Sequence, residues 1–416
     1  MQHRIGEITL TVLGPDHRPL ADRVVTVEQR RHAFAFGNIG FDFVHLVGGP
    51  NPAEEGREQN FGGATDIDLD QFARDWLGLF NTATLPFYWG SYEPTRGAPD
   101  TARLLRTARW LTERGVVVKG HPLVWHTVQP RWLLGLELDE VERLLRERIR
   151  HLVDGFAGLI DTWDAINEAV IMPVFANGDN AVTPLARARG RIAMVRLAFE
   201  QARAANPGAT LVLNDFDLSS AYECLIEGVL EAGIPIDAIG LQTHMHKGYR
   251  GEEYMNAMLD RFARYGLPLH LTESTLVSGH LMPRDIEDLN DYQVPDWPTT
   301  PEGEARQADE IVRHYRSLVA HPAVQAINYW GLTDRGSWLG APVGLIRADG
   351  TRKPSYDALS ALIKGEWWLP PTEQRTGADG TLTVRGFHGD YAVAGAPFRI
   401  GPEQQSTTVT VDPVAR

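Results

Sequence analysis

Between residues 33 and 370, short apolar runs recur eight times, and helical stretches separate most of them. The runs are Phe34–Gly37, Thr82–Leu85, Val116–Gly120, Asp161–Ile166, Leu211–Asn214, Ala238–Gln242, Leu269–Thr272 and Ala326–Trp330. Parallel strands covered on both faces read in this way, as compact apolar segments rather than as a strict polar alternation. Eight of them with intervening helices fit a closed (β/α)8 barrel, an α/β fold, better than an open doubly wound sheet. No glycine-rich dinucleotide fingerprint follows any of the runs. The helices after the first and sixth runs are the least distinct. In the clearest helix Asp139 is expected as the cap with Glu142 at N3, and Val141, Leu144, Leu145, Ile149 and Leu152 form an apolar stripe. A second helix is predicted from Leu185 to Ala205, before Asn206-Pro207-Gly208, and a third from Glu304 to Val319.

The two ends have a different period. In residues 1–32, Ile8, Leu10 and Val12 share a face, and Val24 and Val27 belong to a second run beyond Gly14-Pro15-Asp16. In residues 371–416, Leu382 and Val384 precede a hairpin-like Gly389-Asp390, which leads into Tyr391, Val393 and Phe398. The expectation is one small β-sandwich assembled from both ends around a catalytic barrel at 33–370; the alternative is two separate β appendages. The stretch Leu281–Glu302 lacks a strong period and carries four prolines, so it reads as a long loop after the seventh strand. In a barrel that places it on the ligand-binding face; the alternative is a loosely packed surface excursion.

Composition narrows the class further. Over 416 residues, 43% hydrophobic and 23% charged side chains supply a substantial core and exclude a disordered or fibrous chain. The formal charge of −14, with only four lysines among forty basic residues, argues against a nonspecific grip on nucleic acid or anionic membrane. It suits a protein handling neutral ligands. One cysteine, Cys224, permits neither an intrachain disulfide nor a thiolate metal cluster. No apolar stretch approaches the length of a transmembrane helix. Met1-Gln2-His3-Arg4 is not followed by an apolar leader core, so the expectation is a cytoplasmic protein, or an exported one whose leader is missing from the sequence. The oligomeric state is left open.

The candidate strands end in polar and aromatic residues: Gly120–His126 after the third, Asn167-Glu168 after the fourth, Asn214-Asp215 after the fifth, Gln242–His244 after the sixth, Thr272-Glu273 after the seventh, and Trp330 with Asp334 and Trp338 after the eighth. In a barrel these converge on one mouth, and burying so many polar groups costs free energy unless they pair with one another or with a ligand. Glu168 and Glu273 are the candidate catalytic pair. Glycoside hydrolysis needs one carboxylic acid to protonate the departing oxygen, and one carboxylate to attack the anomeric carbon or activate water. Singly, either glutamate could be a strand-end salt-bridge partner. His244 is placed to orient Glu273. His121, His126 and His244 also admit a zinc triad, but no short-spaced ligand signature accompanies them. Trp125, Trp330 and Trp338 offer flat faces for sugar rings, and Asn167 and Gln242 can both donate to and accept from hydroxyls.

The strings GHPLVWHTVQP (120–130), WDAINE (163–168), IGLQTH (239–244) and LTE (271–273), with Trp330–Asp334 and Trp338, resemble the family 10 glycoside hydrolases, whose typical members are endo-β-1,4-xylanases. The resemblance covers about residues 70–368. It implies a retaining double displacement with Glu273 as nucleophile and Glu168 as general acid/base, and no metal or organic cofactor. It further implies sugar contacts from His121, Trp125, His126, Asn167, Gln242, His244, Trp330, Trp338, Tyr88 and Trp89, with Asn214 and Asp334 supporting them from behind. The implied partner is a polysaccharide or oligosaccharide substrate, xylan or a related β-linked plant polysaccharide. Three departures matter; besides the two substitutions that follow, the long loop Leu281–Glu302 is expected to cover one end of the cleft and turn internal cleavage towards terminal or specialised cleavage. Leu85 and Tyr88 occupy positions where family xylanases usually carry an asparagine and a lysine, and Ser274-Thr275 replaces a usual Leu-Asp after the nucleophile. The first of these substitutions motivates a second expectation, a narrower β-glycosidase that releases an oligosaccharide from a decorated glycan or glycoconjugate. A third is a non-catalytic glycan-binding protein on the same scaffold.

Overall fold

The computed structural model describes residues 1–50 and 67–412. Two strands open the chain, β1 (Ile5–Leu13) and β2 (Val24–His32). Eight parallel strands follow: β3 (Ala35–Ile39), β4 (Thr82–Pro86), β5 (Val117–His121), β6 (Ile160–Asn167), β7 (Thr210–Asp215), β8 (Ala238–Met245), β9 (Leu269–Leu276) and β10 (Val324–Tyr329). They close in sequence order, with β10 pairing back onto β3. All eight predicted runs are strands of this TIM barrel. Helices cover its outside, including those after the first and sixth strands, at Phe41–Leu46, Leu69–Leu79 and Glu252–Ala263.

Packing explains local sequence choices. A side chain at Gly120 would run into the Trp163 ring, which lies across it at 2.2 Å from an ideal Cβ. The helix predicted from Leu185 to Ala205 is two helices, Val182–Arg189 and Arg191–Ala205, because Gly190 sits between them at φ +85°. Its apolar positions continue across the break, which hid it from a periodicity argument. The helix Leu138–Gly155 has Glu137 at its cap position, with no side-chain capping bond, so Asp139 lies in the first turn rather than at the cap. Val141, Leu145, Ile149 and Leu152 are buried as expected, and Leu144 is half-buried. The third helix extends slightly beyond expectation, Pro301–Ala320, with Thr300 accepting from the Gly303 N–H.

The last strands are β11 (Thr372–Arg375), β12 (Thr381–Phe387), β13 (Gly389–Val393), β14 (Ala396–Ile400) and β15 (Ser406–Thr410). They combine with β1 and β2 into two small sheets ordered β12-β1-β15 and β11-β2-β13-β14. Each sheet therefore contains strands from both ends of the chain, and Ile8, Leu10, Val12, Val25, Val27, Val384, Tyr391 and Ile400 fill the space between them. Val24 points outward and Val25 inward. Gly389-Asp390 is not a hairpin turn but the start of β13, where the chain crosses from one sheet to the other; the hairpin lies between β13 and β14. Arg4 joins this unit to the barrel, donating to the carbonyls of Val319 (3.1 Å) and His321 (2.9 Å) at the C-terminal end of the helix Pro301–Ala320.

The loop after β9 is neither loose nor featureless. Val277, Met282 and Trp297 are buried with Ala341 and Val343 from the loop after β10. Lys353, fully buried, bridges those two loops through Ser278 Oγ (2.8 Å) and Asp334 Oδ1 (2.7 Å). Among the described residues no helix is long and apolar enough to cross a membrane.

Candidate active site

Glu168 follows β6 and Glu273 lies within β9. Both strands carry an irregularity just before the glutamate. On β6, Asp164 pairs with Val212 and Ile166 with Leu213, so Ala165 is an extra residue. On β9, Leu271 pairs with Leu241 but Glu273 with Gln242, so Thr272 is extra. A bulge of this kind bends a strand and re-aims the side chains beyond it. Glu168 itself adopts φ +58°, a left-handed conformation that a non-glycine residue holds only where its surroundings enforce it. Its N–H is tied to the Asn214 carbonyl at 2.8 Å.

One hydrogen-bonded net connects the two carboxylates. Thr272 Oγ1 donates to Asn214 Oδ1, at 2.5 Å, which leaves the Asn214 amide to donate to Asn167 Oδ1 (2.7 Å) and Glu273 Oε1 (3.0 Å). Gln242 Nε2 donates to Asn167 Oδ1 (3.1 Å) and lies 3.4 Å from Glu168 Oε1. Asn167 Nδ2 donates to Glu168 Oε1 at 3.1 Å, and the Trp125 indole donates to Glu168 Oε2 at 2.8 Å. His244 Nε2 is 3.1 Å from Glu273 Oε2. Asn167, Asn214, Gln242, His244, Trp125 and both glutamates thus form one cluster.

The electrostatics of Glu168 follow from its place in this net. Burial raises its carboxyl pKa to about 8; the Trp125 hydrogen bond opposes that rise, and the charges of Glu273 and Asp215 add to it. Asp215, fully buried one residue beyond Asn214, is itself pushed up to about 7 by burial, against the N–H groups of Val170 and Asp217 that it accepts from.

The remaining candidates surround this cluster or stand apart from it. Trp330, Tyr88, Phe41 and Ile39 are buried together, with Trp125 and Val128 packed against them. Tyr88 lies 5.4 Å from Trp125 and 5.6 Å from His121, between ring centres. Trp338 lies 4.9 Å from His244. His121 gives its Nδ1 to Asp164 Oδ2 at 2.7 Å, and Lys119 Nζ meets the same oxygen at 2.7 Å. His126 approaches Glu168 only to 3.8 Å; neither ring nitrogen has a hydrogen-bond partner among the described residues, and burial drives its pKa down to about 3. Trp89 commits its indole to Glu93 at 3.1 Å and packs on Trp132. Asp334 contacts Lys353 and the Gly344 N–H rather than either glutamate, so its support acts on the loop after β10. Of the three histidines of the zinc alternative, His121 is hydrogen-bonded to Asp164 and His244 lies against Glu273, and among the described residues no group of three or more His, Cys, Asp or Glu is arranged to hold a metal ion.

Sequence reasoning overlooked Asp215 as an electrostatic neighbour of Glu168, Lys119 and Asp164 as the pair behind His121, and the Thr272 hydroxyl that orients Asn214. Asp215 was visible beside Asn214 at a strand end. The others depend on which face each strand turns inward.

A family model described as glycosyl hydrolase family 10 matches residues 82–362, about two thirds of the chain. Endo-1,4-beta-xylanase B of Thermotoga neapolitana is 30% identical over 261 residues, covering 60% of this chain and 69% of that enzyme. The anti-sigma-I factor RsgI6 of Acetivibrio thermocellus is 23% identical over 399 residues, 94% of this chain but 45% of that protein. Among solved structures, xylanase 10B from Thermotoga petrophila in complex with xylobiose superposes with a TM-score of 0.61 at 22% identity, over 80% of this chain and 95% of that one. The likeness to the solved structure is one of fold, whereas the family match runs from β4 to the last helical segment before β11 and includes both glutamates. The chain belongs to glycosyl hydrolase family 10.

Proposed function

We propose that this protein is a retaining endo-β-1,4-xylanase that cleaves xylan, or a closely related β-linked plant polysaccharide, by double displacement. Glu273 attacks the anomeric carbon while Glu168 gives its proton to the departing glycosidic oxygen. Glu168, now ionised, takes a proton from water, which displaces Glu273 and regenerates both groups. Asn167 and Gln242 meet the hydroxyls of the reacting sugar, and Trp330, Trp338 and Trp125 bound its faces. The division 1–32, 33–370 and 371–416 goes with this reading: the barrel holds all the chemistry, and the terminal β unit braces it.

The observation that carries the reading is the difference between two like residues in one net. Burial raises the Glu168 carboxyl to about 8, so it holds a proton near neutral pH although Trp125 and Asn167 donate to it, while Glu273 stands across the same net, accepting from Asn214. Xylanases among the relatives supply the substrate class. The test is digestion of xylan with product analysis over time. Internal cleavage, giving oligomers of several lengths early, supports the reading; inactivity on xylan and xylo-oligosaccharides sinks it.

A second reading is motivated by the buried apolar wall of Phe41, Tyr88 and Trp330, with Leu85 fully buried in β4. A wall of that composition offers few hydrogen bonds to an unsubstituted sugar, which favours a narrower β-glycosidase releasing an oligosaccharide from a decorated glycan or glycoconjugate. Activity confined to decorated substrates, with one dominant product, would select it over the first.

A further inference from the structure

Thr275 stands directly opposite His244 on the neighbouring strand, two residues after Glu273, and is buried. Its Oγ1 already accepts the main-chain N–H of Met245 at 3.2 Å, and it lies 3.3 Å from His244 Nδ1. The other ring nitrogen, Nε2, faces Glu273 Oε2 at 3.1 Å. A neutral imidazole has a single N–H, and a hydroxyl has a single proton to donate. If the imidazole proton sat on Nδ1, a bare Nε2 would confront a carboxylate oxygen, lone pair against lone pair. With the proton on Nε2, every contact is satisfied: the Thr275 hydroxyl donates to Nδ1, and Nε2–H donates to Glu273. A hydroxyl is uncharged, so it gives no ionic stabilisation to a second proton on Nδ1 of the kind a carboxylate would give.

We infer that Thr275 is a positioning residue for the nucleophile: its hydroxyl fixes His244 as the neutral Nε2–H tautomer, so that a neutral donor rather than an imidazolium holds Glu273. The inference rests on the assignment of Glu273 as nucleophile. Of the groups around His244, the Glu273 carboxylate favours a second proton on the ring, and the buried Thr275 hydroxyl, whose own proton needs Nδ1 as its acceptor, opposes it. Glu273 on β9 is its adjacent charge, Glu168 lies on the far side of Gln242, and Trp338 and Trp330 cover it at 4.9 and 6.1 Å. His246, just beyond the end of the same strand and 5.9 Å away, is held neutral by burial, with its pKa near 3.

The direct test is 15N NMR of the histidine-labelled full-length protein at neutral pH, with the His244 signals assigned by difference from His244→Gln. The expected spectrum has Nδ1 unprotonated and Nε2 protonated. An Nδ1–H tautomer, or protons on both nitrogens, overturns the inference whether or not any Thr275 variant folds. Kinetics give the second arm. Thr275→Val should lower kcat/KM about three- to tenfold, the rate equivalent of one lost hydrogen bond, while Thr275→Ser restores it. Thr275→Asp should let His244 take a second proton, and the resulting cation should move the acid limb of kcat/KM to lower pH. Superposable pH profiles for wild type, Thr275→Val and Thr275→Asp would also overturn it. Failure of the nucleophile assignment shows up separately, as a covalent intermediate trapped on another residue while the tautomer is as expected.

Discussion

Glu168 and Glu273 differ in their surroundings rather than in their chemistry, and the variants should report that difference. Glu273→Gln is expected to abolish turnover on every substrate, because no other carboxylate lies against both Asn214 and His244 among the described residues. Glu168→Gln should slow natural glycosides by about 10²–10⁴-fold but spare aryl glycosides whose leaving groups need little protonation. Comparison of kcat/KM across leaving groups separates the two, and the reverse pattern would exchange the roles. The raised carboxyl of Glu168 also fixes a sign for pH. The proton-donating form is lost as pH rises through about 8, so the alkaline limb of kcat/KM should fall there. Stability is linked to the same group. Its folded pKa exceeds the unfolded value of about 4.3, so its contribution is full below that value and declines as pH climbs towards 8. Glu168→Gln lacks this term; its melting temperature relative to wild type should therefore rise between about pH 4 and 8. A constant difference across that range would remove the linkage.

At the scale of elements, the ends of strands β5 to β9 carry the proposed catalytic net, and the loops after β9 and β10 pack together on the Trp338 side of the mouth. Lys353 is buried between Ser278 and Asp334, so Lys353→Met should cost about 3–5 kcal/mol by leaving Asp334 without its partner. Urea unfolding measures it, and a loss below about 1 kcal/mol would mean the pair behaves like a surface one. The terminal sheets allow a contrasting test. Leu10→Ala should lose about 2–5 kcal/mol while kcat/KM holds, since Leu10 packs between the two small sheets and the carboxylates lie at the barrel mouth. Element identity was legible because barrel strands are buried on both faces and show as apolar runs. The break at Gly190, the sheet crossing at Gly389 and the order of the loop after β9 were not. Each depends on contacts with distant segments: Gly389 against Arg31, for example, where a Cβ would meet a carbonyl at 2.1 Å.

Across the whole molecule, the closed barrel converts strand ends scattered along the sequence into one site. The candidate residues at strand ends could be read from the chain because convergence follows from topology alone. What sequence could not supply was the direction of each hydrogen bond. That His121 serves Asp164, that Asp334 serves Lys353 and that Thr275 faces His244 are consequences of register. The same register places both glutamates beyond an added residue in their strands, which ties the mechanism to two local departures from a regular ladder. The claim on which the rest depends is that Glu273 forms a covalent bond to the sugar. It is tested most directly by incubating the enzyme with an activated 2-fluoro β-xylobioside and mapping the modified peptide by mass spectrometry. One glycosyl adduct on the peptide carrying Glu273 is the predicted result. An adduct on Glu168, or turnover with inverted configuration and no adduct, would contradict it.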